Sequence, residues 1–392
     1  MMVHGCMLAL AASLATRVGE HSESHKERMN IGFIYGPSYP PTSGGTIHGY
    51  QLASQLHALG HALSNWYFDY GGNPLIRHWQ GRQLLSFLTS IDVLYLRIEW
   101  RLAPAICTLF GSIPGRRVPV VWELNGTPYE TLYNKGGGNP AAVIRRLRWL
   151  ARGCAVAIGV SEEIAAFAAT ELGVRRTRAI PNGSDDSMFR PLPRTVDGAR
   201  PLSVAWIGTS AAGWHDLDTL IETARECERC GHDIEFVIYG DARNLPAPLP
   251  GNVVASGSVS YADLGTAIGR SDVGLHLFKR EPGHPPVVGS PLKVFDYMAC
   301  GLAVVTNAAG QQSRLVRQWN AGIETTGTVA DLTGALVRLA RDRRYCAELG
   351  ANGRRAVESY FNWRRVARET IEVLDDVAGG GASPDVMRRD RA

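Results

Sequence analysis

Apolar segments of strand length alternate with segments of helical spacing from Met29 to Val377, and this alternation restricts the fold more than any other feature. "NIGFIYG", "IDVLYLR", "VPVVWEL" and "CAVAIGVS" read as strands buried on both faces. "GTIHGYQLASQLHALGH", "AVIRRLRWLARG" and "EEIAAFAATELG" read as helices, the first ending at Gly60 and the last at Gly173. "TRAIPNG" adds a short strand and a turn. The alternation then breaks at "PLPRTVDGARP", which is Pro-rich and without period, and resumes at Leu202. Beyond it "LSVAWIG", "IEFVIYG", "VVASGSV", "SDVGLHLF" and "LAVVTN" are expected strands. "DLDTLIETARECERC", "YADLGTAIGR", "TVADLTGALVRLARD", "RYCAELGANGRRAVESYF" and "NWRRVARETIEVLDDV" are expected helices. Such alternation gives mainly parallel sheets covered by helices. The chain is therefore expected to be α/β, with two similar halves and a cleft at the C-terminal ends of both sheets, where ligands of open α/β sheets bind.

The expected organisation is an extension over residues 1–28, a first domain over 29–190, a linker over 191–200, a second domain over 201–378 and a disordered tail over 379–392. The extension is read as disordered, or as the result of a start codon called too early. Its apolar stretch "MLALAASLA" lacks the basic residues that precede a secretory core, which leaves secretion as the lesser reading. At 392 residues, 45% apolar and 20% charged, the chain has the material for two or three soluble domains. A net charge of +4 and the absence of a basic stripe interleaved with aromatics argue against nucleic acid as a partner. Seven scattered cysteines are no disulfide framework and fit a reducing, cytoplasmic setting. Cys227, Cys230 and His232 offer one "CERC" pair with no second ligand pair at a suitable spacing, so no metal is expected there. The helix "AVIRRLRWLARG" carries Trp149 among arginines and could touch an anionic membrane surface at the inner face, although a solvated face is the simpler reading.

"GSPLKVFDYMACG", residues 289–301, sets Lys293 and Asp296 among residues suited to burial. Ser290 before Pro291 is a helix-start signal, with the Ser hydroxyl expected to cap and Pro to occupy the first helical position. A helix start presents unpaired N–H groups and attracts phosphate, and Lys293 strengthens that field. A carboxylate one turn further in can accept from sugar hydroxyls. Gly44 and Gly45, between a strand and a helix, permit positive φ and close backbone approach, which suits a phosphate or a sugar ring.

Five segments in order resemble the retaining glycosyltransferases of family 4, which have the GT-B fold of two facing Rossmann-like domains with a C-terminal helix crossing back. They are "PPTSGGTIHGYQLASQLHALGH", "GVSEEI", "IPNGSDDSMFRP", "AWIG" with "WHDLDTLIETA", and "SPLKVFDYMACGLAVVTN". The resemblance implies transfer of a sugar from a nucleotide-diphosphate donor with retention and without a metal or other cofactor. It implies that Gly44 and Gly45 reach toward the diphosphate. It further implies that the helix start at Ser290, Pro291, Leu292 and Lys293 binds phosphate and that Asp296 binds ribose. Pro291 itself has no N–H to offer. The acceptor stays open among glycans, lipid-linked glycans and small natural products.

Several family positions hold other residues. Val288 stands where the first Glu of the family's carboxylate pair falls, and Glu281 is a candidate to replace it. Thr209 and His215 stand where the family has Arg and Lys against the leaving diphosphate. Lys293, then His215 and Arg280, are the expected compensating groups. Asn125, in "WELNGTPYE", stands where many relatives have a catalytic-site His. It can position a hydroxyl but cannot carry a proton. Glu123 and Glu130 flank it, with a structural strand-end role equally open. Arg97 is expected either to point into the cleft or to form a salt bridge within its domain. Because of these departures, an inactive nucleotide-sugar-binding subunit and a nucleotide-sugar epimerase remain rival readings.

Overall fold

The structure, a computed structural model, describes residues 28–35, 41–65, 86–98, 112–113, 116–134, 136–193, 200–210, 212–241, 243–245, 248–279 and 283–379. Nearly all of the N-terminal extension, most of the linker and nearly all of the C-terminal tail lie outside these residues, as do Arg280 and Glu281.

Two six-stranded parallel sheets form the molecule. In spatial order the first runs Ala62–Asn65, Asn30–Ile34, Val93–Arg97, Val120–Leu124, Val156–Gly159, Thr177–Ala179. The second runs Val253–Gly257, Ile234–Asp241, Leu202–Thr209, Val273–His276, Ala303–Asn307, Gly322–Thr325. The central strands Val93–Arg97 and Val120–Leu124 are almost wholly buried, which is why they read as unbroken apolar runs rather than alternating ones. In each sheet the strand order reverses beside the strand that opens the domain. The crevices therefore lie between Asn30–Ile34 and Val93–Arg97, and between Leu202–Thr209 and Val273–His276.

The last helix, Trp363–Ala378, crosses back. Trp363, Val366, Ala367, Ile371 and Leu374 join Leu52 and Leu56 of the Gly44–Ala58 helix in the core of the first domain. It is pinned by the Pro181–Asn182–Gly183 turn. Ser184 N donates to Phe361 O at 2.9 Å, and a Cβ on Gly183 would lie 2.7 Å from the Asn362 backbone. A glycine is needed there for close approach.

Elements additional to the sequence reading include the edge strands Ala62–Asn65 and Gly322–Thr325, the two-residue antiparallel pair Ser112–Ile113 and Arg116–Arg117, and the helices Pro128–Asn134 and Gly310–Gln318. Asp216, expected inside a helix, is instead its N-cap and accepts from Thr219 N at 3.1 Å. Cys227 is buried and Cys230 exposed, and neither is in a disulfide. Trp149 is 52% exposed on the basic helix. Among the described residues no helix is long and apolar enough to cross a membrane.

Candidate functional site

The site is the cleft between the two crevices, and two helix starts meet in it. Ser43 caps the Gly44–Ala58 helix, with Thr46 N donating to its Oγ at 3.4 Å. Gly44 and Gly45 are thus the first turn of a helix rather than a loop, and neither has positive φ. They contribute the lack of a side chain. A Cβ on Gly44 would stand 4.0 Å from Leu292, at the opposing helix start, and one on Gly45 would stand 2.9 Å from Arg97 Nη1. Arg97 braces this turn, donating to Gly45 O at 3.4 Å and covering the Tyr35 ring at 4.8 Å.

The opposing helix spans Leu292–Ala299. Its N-cap is Pro291 and carries no side-chain cap bond, so the expected Ser290 cap and Pro first position are both corrected. Ser290 turns instead to the first domain: Asn182 Nδ2 donates to Ser290 O at 2.7 Å and Asn182 N to its Oγ at 3.4 Å. A helix start without a side-chain cap leaves its first backbone N–H groups for a ligand.

Lys293 projects from that first turn toward the crevice of the second sheet. Its Nζ lies 3.0 Å from His215 Nε2 and 4.8 Å from the Trp206 ring centroid. His215 Nδ1 lies 3.1 Å from the Thr209 carbonyl, which can only accept, so the ring carries its proton there and Nε2 receives the lysine. Burial, and then the Lys293 charge, hold His215 down at about 3, so it stays neutral. Burial lowers Lys293 to about 7. His276 lies beyond, fully buried, with neither ring nitrogen bonded. Burial lowers its pKa, with Lys293 and His215 adding to the effect.

Asp296, one turn on, is buried, and its Oδ1 accepts from Ser184 Oγ at 2.6 Å. Burial raises its carboxyl to about 7 against the opposing effect of that bond. Close by, Gln51 Nε2 of the first domain reaches Tyr261 Oη at 3.2 Å and Asp185 Oδ2 at 3.4 Å.

On the first-domain wall, Glu123 is buried among partners. It accepts from Tyr35 Oη at 2.6 Å, from Tyr95 Oη and from Asn125 Nδ2 at 2.6 Å, with His48 Nε2 at 3.4 Å. Burial alone would raise its pKa, but His48 and the hydrogen bonds outweigh burial and lower it. Glu123 is thus the structural strand-end carboxylate. It fixes Asn125, because a carboxylate can face only the amide nitrogen. Asn125 Oδ1 is left without a partner. Glu130, in the helix Pro128–Asn134, is raised to about 7 by burial, against the opposing influence of the Val288 backbone amide in the second domain.

The structure therefore gathers Gly44, Leu292, Lys293, His215 and Thr209 around one end of the cleft, and places Asp296 at the side toward Ser184. Glu281 lies outside the described residues. Sequence reasoning missed Trp206 as the lysine's platform and His276 as its buried neighbour. A His in the otherwise apolar "VGLHLF" was the one available signal for the latter. Among the described residues no group of three or more His, Cys, Asp and Glu could hold a metal ion.

Residues 218–372 match the profile of the family described as "Glycosyl transferase-like". A GDP-mannose-dependent monoacylated alpha-(1-6)-phosphatidylinositol monomannoside mannosyltransferase of Corynebacterium glutamicum is 23% identical over 163 residues, 40% of this chain and 43% of that protein. An MMP alpha-(1->4)-mannosyltransferase of Mycolicibacterium hassiacum is 34% identical over 89 residues, 22% of each chain. The matched region thus spans less than half the length of either curated relative. Anabaena HepE, solved with UDP and glucose, superposes with a TM-score of 0.67 at 17% identity, covering 89% of this chain and 100% of that one. A glycosyltransferase from Rickettsia africae superposes with a TM-score of 0.70 at 13% identity, covering 91% and 100%. The chain has the GT-B fold, and its second domain carries the sequence pattern of the glycosyl transferase-like family over residues 218–372.

Proposed function

We propose that the protein is a glycosyltransferase that moves a sugar from a nucleotide-diphosphate donor to a hydroxyl acceptor, with retention and without a metal. The observation that carries this reading is Lys293 at the uncapped start of the Leu292–Ala299 helix, 3.0 Å from a neutral His215. Helix-start N–H groups and an ammonium form a donor-only pocket at the crevice of the second sheet, and a diphosphate is the ligand it suits. Asp296, which shares its carboxylate with Ser184, accepts from the ribose. The family match over residues 218–372 and the mannosyltransferase relatives support the class of reaction.

In the reaction the bond from the anomeric carbon to the phosphate oxygen breaks and the acceptor oxygen bonds to the same face. The acceptor proton passes to the departing diphosphate. The protein's share is to hold the reactants close and to stabilise the charge that develops on the leaving group. Lys293 does the latter in place of the Arg and Lys that the family resemblance would put at Thr209 and His215.

UDP-, GDP-, ADP- and dTDP-sugars incubated with the protein and a chelator test this reading, with donor hydrolysis followed and the anomeric configuration of the product assigned. One donor should be consumed with retention. Lys293→Ala should slow that reaction on the order of 10²–10³-fold, as the loss of a leaving-group donor does. A product of inverted configuration, or activity abolished by the chelator, contradicts the mechanism.

A further inference from the structure

The two walls of the cleft differ in hydrogen-bonding character. The second-domain wall offers donors: Lys293 and the helix-start amides. The first-domain wall offers acceptors. Both protons of the Asn125 amide are committed, one to Glu123 Oε1 at 2.6 Å and one to Tyr35 Oη at 2.9 Å, which leaves Oδ1 unpartnered. Glu130 stands on the same short segment, past Gly126, where a Cβ would come 3.9 Å from its Oε2. Among the described residues its carboxylate makes no ion pair and no side-chain hydrogen bond, and the Val288 backbone amide is the one group that opposes the effect of burial on it. The other described carboxylates near the cleft are taken. Glu123 is bonded by two tyrosines and Asn125, Asp185 by Ser187, Met188 N and Gln51, and Asp296 by Ser184.

The segment that meets Glu130 is held in place. Ser161 Oγ donates to Val288 O at 2.6 Å, and a Cβ on Gly289 would lie 3.8 Å from Asn125 O. The segment from Asn125 to Glu130 therefore faces a fixed stretch of the second domain, within a few residues of the helix start that holds Lys293. A ligand whose anionic part sits at Lys293 places its next group against Glu130 and Asn125. Two acceptors match a group that presents hydroxyl protons.

From this juxtaposition we propose that Glu130, with Asn125 Oδ1, binds hydroxyls of the donor's sugar and selects which sugar is accepted. This rests on the donor-site reading above. Glu130 touches the sugar and not the nucleotide, and that difference makes the proposal testable separately.

The experiment titrates UDP, UDP-glucose, GDP and GDP-mannose into the wild-type protein, Glu130→Ala and Glu130→Gln. The expected result is nucleoside diphosphate affinity within about twofold in all three proteins. For the preferred sugar nucleotide, Glu130→Ala should lose roughly tenfold, about 1.4 kcal/mol, and Glu130→Gln less. A donor deoxygenated at the contacted hydroxyl should bind more weakly to the wild type but equally to Glu130→Ala. If the sugar nucleotide binds as tightly to Glu130→Ala as to the wild type, the proposal is overturned and the nucleotide site stands. Loss of nucleoside diphosphate binding in both variants also overturns it, because Glu130 is then a structural tie to Val288. If the wild type binds no nucleotide, the donor-site reading itself fails.

Discussion

Lys293 and Asp296 sit one turn apart on the Leu292–Ala299 helix, and burial moves each toward neutrality from opposite sides. For Lys293 the ammonium form binds a diphosphate and neutral amine does not. Since burial places its titration at about 7, diphosphate affinity should weaken as pH rises from 6 to 9, and Lys293→Ala should be flat over that range; calorimetric titration at four pH values checks this. For Asp296 the folded pKa is raised above the ordinary value, so folding takes up a proton. The stabilisation that follows is complete below about 4 and is lost as pH rises through about 7. Thermal melts at pH 5 and pH 8 should therefore show a larger loss for the wild type than for Asp296→Asn. Lys293 stands in the first turn of its helix and turns toward His215 and Trp206. The expected Ser290 cap is absent, because a Ser-Pro pair signals a turn as readily as a cap, and Asn182 competes for the hydroxyl. Glu130 was open between roles because its meaning depends on Val288, 158 residues away in sequence and on the other wall.

Among the elements, the turn Pro181–Gly183 and the last helix act together. Asn182 ties the Leu292–Ala299 helix, Ser184 ties Asp296, and Gly183 lets the Asn362 backbone approach. The signature quoted in the sequence as a family mark is thus a joint between the domains. Gly183→Ala should force a backbone shift and lower stability by about 1–3 kcal/mol, read as a fall in Tm. Trp363 is 2% exposed and packs its helix into the first domain; Trp363→Ala should cost about 3–5 kcal/mol in denaturant unfolding. The buried strands and amphipathic helices were legible because their periods match their burial. The helix Gly310–Gln318 was not. Gln311, Gln312 and Ser313 are buried there, bonded to backbone and to Glu324, so a polar sequence conceals a buried face. The unread strands Ala62–Asn65 and Gly322–Thr325 are four-residue edge strands, and the second is only partly buried, so little burial imposes a pattern on it.

At the scale of the whole molecule, the two domains are held across the cleft by a few polar contacts. Gln311 Nε2 meets Val160 O at 3.2 Å, Arg314 pairs with Glu163, and Ser161 meets Val288. Contacts of this kind let domains move, and a ligand that bridges them adds stability by mass action. A bound donor at about a hundred times its Kd should raise the unfolding free energy by about 2.7 kcal/mol, seen as a rise in Tm. The doubly wound alternation made the two-domain architecture and its cleft legible from the sequence. The setting of Lys293 over Trp206 was not, because it arises only when the Leu292–Ala299 helix meets the strand Leu202–Thr209. The central claim is that Lys293 and its helix start form a diphosphate pocket. Calorimetric titration of UDP, GDP, ADP and dTDP into the wild type and Lys293→Ala tests it most directly. The account predicts that at least one of these binds the wild type and binds Lys293→Ala at least tenfold more weakly. Binding that is unchanged by Lys293→Ala, or no binding by any of the four, would contradict it.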